Sequence, residues 1–118
     1  MTVQFPLGSD VVPAQADRRL SVLIAEVRSG HWSLRIAGYA SPDSGTRKEN
    51  DALSWDRARS LRTRLIQLGL PPDQISSGSV TGMGTAGIPP QACDRDGHLD
   101  ETICAQYRKA VIVTVKLH

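Results

Sequence analysis

The chain has 118 residues, a length that fits one domain able to bury a single core without a metal or several disulfides. Its net charge of +2 is too small to indicate nucleic-acid binding, and its aromatic content of 4% predicts a core of Leu, Ile, Val and Ala. No apolar run approaches the length of a membrane span, so we expect no direct membrane insertion by this domain.

The first part of the chain predicts a strand, a helix and a second strand. Residues 3–7 alternate weakly and suit a short strand. Apolar residues recur at helical spacing over about 14–29, which predicts a helix with one buried side, ended by Gly30. Residues 31–37 alternate as a second strand. We expect it to pair beside the first, because a strand-helix-strand unit normally closes onto one sheet.

A polar turn over residues 38–50 follows the second strand, and within it 46–49 could extend away as a polar flap. The apolar stripe of the next segment predicts a helix over about 51–68, ended by Gly69. A turn rich in Ser, Pro, Asp and Gly exposes backbone groups and short side chains, while the helix projects a fixed cation, Arg57, beside it. This junction is therefore the predicted polar pocket.

The last third of the chain predicts two further strands, at 75–81 and at 107–117, separated by a long loop. The continuous apolar content of 107–117 suits a central or well-covered strand. The order β-α-β-α-β-β predicts an α+β fold, a two-layer sandwich with two helices packed on one face of a mixed sheet. The glycine-rich segment 82–87 is not followed by a helix with Lys-Ser/Thr, so it does not indicate a phosphate site.

The long loop contains both cysteines, Cys93 and Cys104. An even number of nearby cysteines predicts a disulfide in an oxidising compartment, which would stabilise the fold by about 2–3 kcal/mol. The alternatives are two free thiols, or a zinc site with His98, which lacks a clear fourth ligand. The acidic residues of 94–101 do not fit the register of a calcium loop, so we predict no metal site and no cofactor.

An enzyme would need a nucleophile beside a base, and the only obvious candidates are Ser41, Ser54 and His98. Their spacing matches neither a nucleophile elbow nor a Ser-x-x-Lys motif. We therefore predict a function without catalysis.

The start of the second helix carries a motif with a known spacing: Asn50-x-x-Leu53-Ser54-x-x-Arg57-Ala58. This motif, with the order of the elements around it, resembles the OmpA-like peptidoglycan-binding domain. The resemblance covers nearly the whole chain and implies the fold of that family.

Two other family motifs are altered in this chain. The family turn Gly-His-Thr-Asp reads Gly38-Tyr39-Ala40-Ser41 here, and the family segment Asn-Arg-Arg-Val reads Tyr107-Arg108-Lys109-Ala110. In the family, the aspartate of the turn binds the amino group at the free end of diaminopimelate, and the motif arginine binds its carboxylate. This chain keeps the arginine and lacks the aspartate.

The resemblance implies that Arg57 binds the carboxylate of the stem peptide. Two interpretations of the altered turn remain. In the first, Asp43, or the Ser41 hydroxyl with nearby backbone, receives the amine, and peptidoglycan is still bound. In the second, the pocket has lost its ligand and the domain serves as a scaffold or docking module.

The resemblance also implies that Asn50 and Leu53 shape the groove and that Arg108 adds a second cationic contact. We expect residues 1–118 to be a single OmpA-like domain, excised from a longer exported or lipid-anchored protein. Its place would be the periplasm of a Gram-negative bacterium, in association with the outer membrane or the cell wall.

The predicted function is binding of the peptidoglycan peptide stem, of the diaminopimelate type, which anchors an envelope protein to the cell wall. The alternative is a degenerate OmpA-like domain that acts as a protein-interaction or structural module in an envelope-spanning secretion or conjugation complex. Its partners would then be envelope proteins.

Overall fold

A computed structural model describes residues 1–28, 31–42, 45–89 and 91–116 of the chain. Within these ranges, short 3-10 turns lie between the longer elements at Ala14–Ala16, Pro72–Gln74 and Ser77–Ser79. The strands and α-helices of these residues follow one another in this order: β1 (Thr2–Gln4), α1 (Asp17–Arg28), β2 (Trp32–Gly38), α2 (Arg47–Gln67), β3 (Val80–Gly82), β4 (Asp94–Arg95), β5 (His98–Leu99), α3 (Glu101–Ala105) and β6 (Lys109–Lys116).

The main sheet has the strand order β1-β6-β2-β3. Strand β6 is antiparallel to both of its neighbours, and β2 is parallel to β3, so the sheet is mixed, as predicted. The last strand is central, which its apolar content had indicated. The expected pairing of the first two strands is wrong, because β6 lies between them and hydrogen-bonds to both. Seven of its eight residues pair with β2 along one edge, and the first three, residues 109–111, pair with the short β1 along the other edge.

One face of the sheet carries the core. Leu34 and Ile36 of β2 and Ile112 of β6 are buried, whereas Val113, which points to the opposite face, is 52% exposed. Each fully buried side chain of this size contributes about 1.5–3 kcal/mol relative to an exposed one. The two long helices cover the buried face with these side chains: Leu20, Ile24, Val27, Ala58, Leu61 and Leu65. The helices on one face of a mixed sheet confirm the predicted α+β sandwich.

The start of α2 differs from the sequence prediction. Thr46 and Glu49 form a capping box, in which the Thr46 hydroxyl accepts the backbone N–H of Glu49 and the Glu49 carboxylate accepts that of Thr46. The hydrogen bond from the Thr46 backbone to the Glu49 carboxylate, and next the interaction with the Thr46 side chain, hold the pKa of Glu49 below its ordinary value. Residues 47–50 are thus the first helical turn and not a flap.

The second half of the chain has shorter strands than expected. Strand β3 begins only at Val80, late in the strand predicted for 75–81. The 3-10 turns Pro72–Gln74 and Ser77–Ser79 occupy much of the chain before it. The long loop contains a two-stranded ribbon, β4 with β5, and the short helix α3. None of the helices in the described ranges is both long and apolar enough to cross a bilayer.

Close packing of α2 on the sheet depends on glycine. A Cβ atom on Gly38, the last residue of β2, would overlap the backbone carbonyl oxygen of Ser54. Gly84 has a φ of +56°, and a Cβ there would overlap the carboxylate of Asp51. The first half of α2 therefore lies directly on the ends of β2 and β3, where the predicted pocket is located.

Candidate functional site

The candidate site lies where β2 ends, α2 begins and β6 begins. Gly38 is paired with Ala110 on one side and with Gly82 on the other, so these strand ends lie together. Beyond the strand, the Tyr39 N–H donates to the carbonyl of Lys109 at 2.8 Å, and the Ala40 N–H donates to that of Gly84 at 2.9 Å. The first residues of the turn are thus fixed from both sides.

A second link fixes α2 to the glycine-rich segment. The Ser54 hydroxyl donates to the carbonyl of Asp51 at 2.7 Å and accepts the N–H of Gly84 at 2.8 Å. Ser54 is completely buried, and its hydroxyl satisfies the buried backbone N–H of Gly84. This motif serine therefore has a structural role.

Arg57 is held inside the protein by backbone carbonyl groups. Its side chain is 0% exposed. Nε donates to the carbonyl of Ser9 at 2.9 Å, and the two terminal nitrogens donate to those of Tyr39 at 2.9 Å and Pro6 at 3.0 Å. The guanidinium carbon lies 5.4 Å from the ring centroid of Phe5. Arg57 therefore joins the N-terminal segment to the end of β2.

A second arginine, Arg108, lies on the other side of the same turn. Its Nε donates to the Ser41 hydroxyl at 3.2 Å. Its two terminal nitrogens donate to the two carboxylate oxygens of Glu101, at 2.5 Å and 2.8 Å. The pair is bidentate, the strong geometry for an arginine and a carboxylate. Ser41 and Arg108 are both buried.

The position of Glu101 depends on the loop that carries α3. Cys93 and Cys104 form the predicted disulfide, with their Cα atoms 4.9 Å apart, and both are completely buried. Asp100 caps α3 by accepting the N–H groups of the second and third helical residues, and its own N–H donates to the carbonyl of Cys93 at 2.6 Å. The disulfide and the cap fix Glu101, the first residue of α3.

Two other predicted residues lie on the first turns of α2. Asn50 is buried, and its side-chain nitrogen donates to the carbonyl of Gly45 at 3.3 Å. Its Oδ1 atom is buried and has no hydrogen-bond partner among the described residues, an arrangement that costs free energy. Leu53, one turn before Arg57, is half-buried.

The structure places three residues of the predicted site, Ser41, Arg57 and Arg108, at one turn. Arg57 contacts the backbone of Tyr39, and Arg108 contacts the side chain of Ser41, two residues farther along the turn. Two residues of extended chain span at most about 7 Å, so the two arginines flank one short segment. Asp43, the other predicted amine-binding residue, lies outside the described residues.

Glu101 is a residue of this site that the sequence did not predict. In the sequence it belongs to the acidic loop that was considered for calcium. The sequence indicated the position of Glu101 only indirectly. The predicted disulfide closes the loop that contains Glu101, and this loop lies shortly before Arg108 in the chain. Because Glu101 and Arg108 are seven residues apart with a short helix between them, no local periodicity indicated their contact.

No metal site is found in the part of the chain that the structure describes, since no group of three or more His, Cys, Asp and Glu side chains converges there. The zinc alternative is wrong for a specific reason: Cys93 and Cys104 are bonded to each other and not available as thiolates.

Comparison with known proteins matches residues 4–93 to the OmpA family. No curated protein sequence matches the chain. Among solved structures, the peptidoglycan-associated lipoprotein from Burkholderia pseudomallei is 28% identical and has a TM-score of 0.75, over 97% of this chain and 89% of that one.

Two other solved structures share the fold at lower identity. The OmpA-like domain of FopA1 from Francisella tularensis is 19% identical with a TM-score of 0.71, over 99% of this chain and 72% of that one. The periplasmic domain of Helicobacter pylori MotB is 14% identical with a TM-score of 0.68, over 100% and 82% of the two chains. Because the family match covers more than half of its length, this chain belongs to the OmpA family.

Proposed function

We propose that this domain binds the peptide stem of peptidoglycan, of the diaminopimelate type, without catalysis, and thereby anchors a longer envelope protein to the cell wall. One observation carries the proposal: two arginines, Arg57 and Arg108, are anchored to Tyr39 and Ser41 of one short turn. A stem peptide presents carboxylates and an ammonium group, and a guanidinium is the side chain best suited to a carboxylate.

In this proposal, Arg57 binds the stem carboxylate. The amine is received at the turn, by Asp43 or by the Ser41 hydroxyl and nearby backbone, and Asn50 and Leu53 shape the groove. The buried, unpaired Oδ1 of Asn50 supports this assignment, because a donor on the ligand would satisfy an acceptor that the described residues leave unmet.

Family membership and the named neighbours support the same function. The Burkholderia neighbour is named as a peptidoglycan-associated lipoprotein, and the Helicobacter neighbour as a periplasmic domain. We infer that this chain likewise acts in the periplasm of a Gram-negative bacterium, near the outer membrane or the cell wall. Residues 1–118 would be one domain of a longer exported or lipid-anchored protein.

A second candidate function is favoured by the burial of Arg57. Its side chain is 0% exposed and donates to three backbone carbonyls, so it also fits a purely structural residue. The domain would then act as a protein-interaction module in an envelope-spanning secretion or conjugation complex, and its partners would be envelope proteins.

Retention on purified, protein-free sacculi tests the proposed function. Wild type and Arg57→Lys are compared with Arg59→Lys, the same substitution at an exposed position of the same helix. We expect wild type and Arg59→Lys to be retained and folded Arg57→Lys to be released, because an ammonium cannot replace the bidentate guanidinium. Equal retention of all three would contradict carboxylate binding by Arg57, and no retention of wild type would favour the second candidate.

A further inference from the structure

We propose that the Glu101 carboxylate receives the ammonium group of the bound stem. This inference rests on the proposed function and assigns the ammonium to Glu101, a residue outside the family motifs, in place of Asp43 or Ser41. The ligand class is a primary ammonium, such as the one at the free end of a diamino acid. Arg108 acts in this proposal as a positioning residue for Glu101 and not as a direct contact to a ligand carboxylate.

The exposures of the two side chains decide their roles. In the Arg108–Glu101 pair, the arginine side chain is 3% exposed and the glutamate side chain is 71% exposed. An arriving ligand therefore meets the carboxylate first, while Glu101, the Ser41 hydroxyl and the surrounding protein enclose the guanidinium. A group that binds here without rearrangement must be a hydrogen-bond donor, and an ammonium group is the donor that a carboxylate binds most strongly.

The Glu101 carboxylate is exposed to solvent while it is paired with Arg108. A carboxylate has about four lone-pair positions, so the bidentate contact with Arg108 does not by itself prevent a further donor from binding. Arg108 also orients the carboxylate, because its own Nε is fixed on Ser41. The chain of contacts from Ser41 through Arg108 to Glu101 thus connects the turn to a solvent-facing anion.

The loop holds this anion before the ligand arrives. Cys104, in the same helix as Glu101, is bonded to Cys93, and Asp100 caps the helix directly before Glu101. A carboxylate on a fixed element loses less conformational entropy on binding than one on a mobile loop. The disulfide therefore supports the ammonium site indirectly, because it fixes the segment from which Glu101 projects.

A different role for Glu101 uses the same contact. Glu101 would then be an internal competitor that occupies Arg108 until a ligand carboxylate displaces it. The two roles predict opposite effects of removing the charge: loss of affinity if Glu101 binds the ammonium, and gain of affinity if it competes with the ligand.

The test compares two stem peptides ending in diaminopimelate, one with the terminal ammonium free and one with it acetylated. Affinities for wild type and Glu101→Gln are measured by calorimetry or amide-shift titration. The substitution removes the charge at an exposed position, so the fold is expected to persist. Glu26→Gln, at an exposed position of α1, is the matched control.

We expect acetylation to weaken binding to wild type and to Glu26→Gln by about ten-fold, the usual worth of one charge-assisted hydrogen bond. For Glu101→Gln, the free-ammonium peptide should bind as weakly as the acetylated one, whose affinity should be unchanged. If Glu101→Gln still distinguishes the peptides ten-fold, or binds both more tightly than wild type does, the inference is wrong and peptidoglycan binding stands. If wild type binds neither peptide, the proposed function and the inference fail together.

Discussion

The Nε atom of Arg108 donates a hydrogen bond of 3.2 Å to the hydroxyl of Ser41. This contact joins the turn after β2 to the residue that precedes β6, across 67 positions of sequence. Ser41 stands where the family turn has an aspartate, and here its side chain is buried against a cation. The Ser41 hydroxyl thus provides an acceptor for the buried Nε–H of Arg108.

Replacing Ser41 by alanine tests that role. Loss of the acceptor leaves a buried guanidinium N–H without this partner, so we expect Ser41→Ala to lower the free energy of unfolding by about 1–3 kcal/mol. Urea denaturation measures the change. Ser21→Ala, at an exposed position of α1, is the control and should change stability by less than about 0.5 kcal/mol. Equal stabilities of the two variants would contradict a structural role for the Ser41 hydroxyl.

Arg57 should be essential for the fold as well as for the proposed binding. Arg57→Ala leaves the carbonyls of Pro6, Ser9 and Tyr39 without their shared donor and opens a cavity. We expect a loss of about 3 kcal/mol or more in the free energy of unfolding, measured by thermal or urea denaturation. The exposed Arg59→Ala should cost less than about 1 kcal/mol. Comparable losses would show that the buried contacts of Arg57 do not stabilise the domain.

Two glycines provide a matched test of the packing at the site. At Gly38 a Cβ would overlap the carbonyl oxygen of Ser54, a backbone atom that can move only with the helix. We expect Gly38→Ala to cost about 3 kcal/mol. At Gly78 nothing lies within 4 Å of the corresponding position, and Gly78→Ala should stay within about 1 kcal/mol of wild type. A neutral Gly38→Ala would mean that α2 does not lie against the end of β2 as described.

Removal of the disulfide should loosen one loop selectively. The double substitution Cys93→Ala with Cys104→Ala should lower the free energy of unfolding by about 2–3 kcal/mol, because the unfolded chain regains freedom. Amide exchange should accelerate over residues 91–108 more than in β2 or α2. The role of the disulfide in fixing Glu101 would be contradicted if exchange accelerated equally throughout the chain, or if it did not accelerate over residues 91–108.

The sequence predicted those parts of the fold that have a strong local pattern. The apolar stripe of α2 and the alternation of β6 were visible, and the motif placed Arg57 beside the turn. The capping box of Thr46 and Glu49 was also readable as Thr-x-x-Glu, but the polar composition of 46–49 was interpreted as a flap.

The rest depends on contacts between distant residues, which local periodicity does not encode. The position of β6 between β1 and β2 follows from strand pairing over more than 70 residues, against the usual closure of neighbouring strands. The burial of Arg57 depends on carbonyl groups of residues 6 and 9, about 50 positions away. Composition could place a cation near the turn, but it could not show that backbone carbonyls surround the cation.

The most direct test of the central claim is an amide-shift titration of the isotope-labelled domain with a soluble stem fragment that ends in diaminopimelate. Because Arg57 is held by Ser9 and Tyr39, a carboxylate that reaches it must disturb these residues. Binding therefore predicts saturable shifts at both, at residues 41–43 and at Glu101. Absence of shifts at millimolar ligand, with the domain folded, would contradict peptidoglycan binding and would direct the search to protein partners.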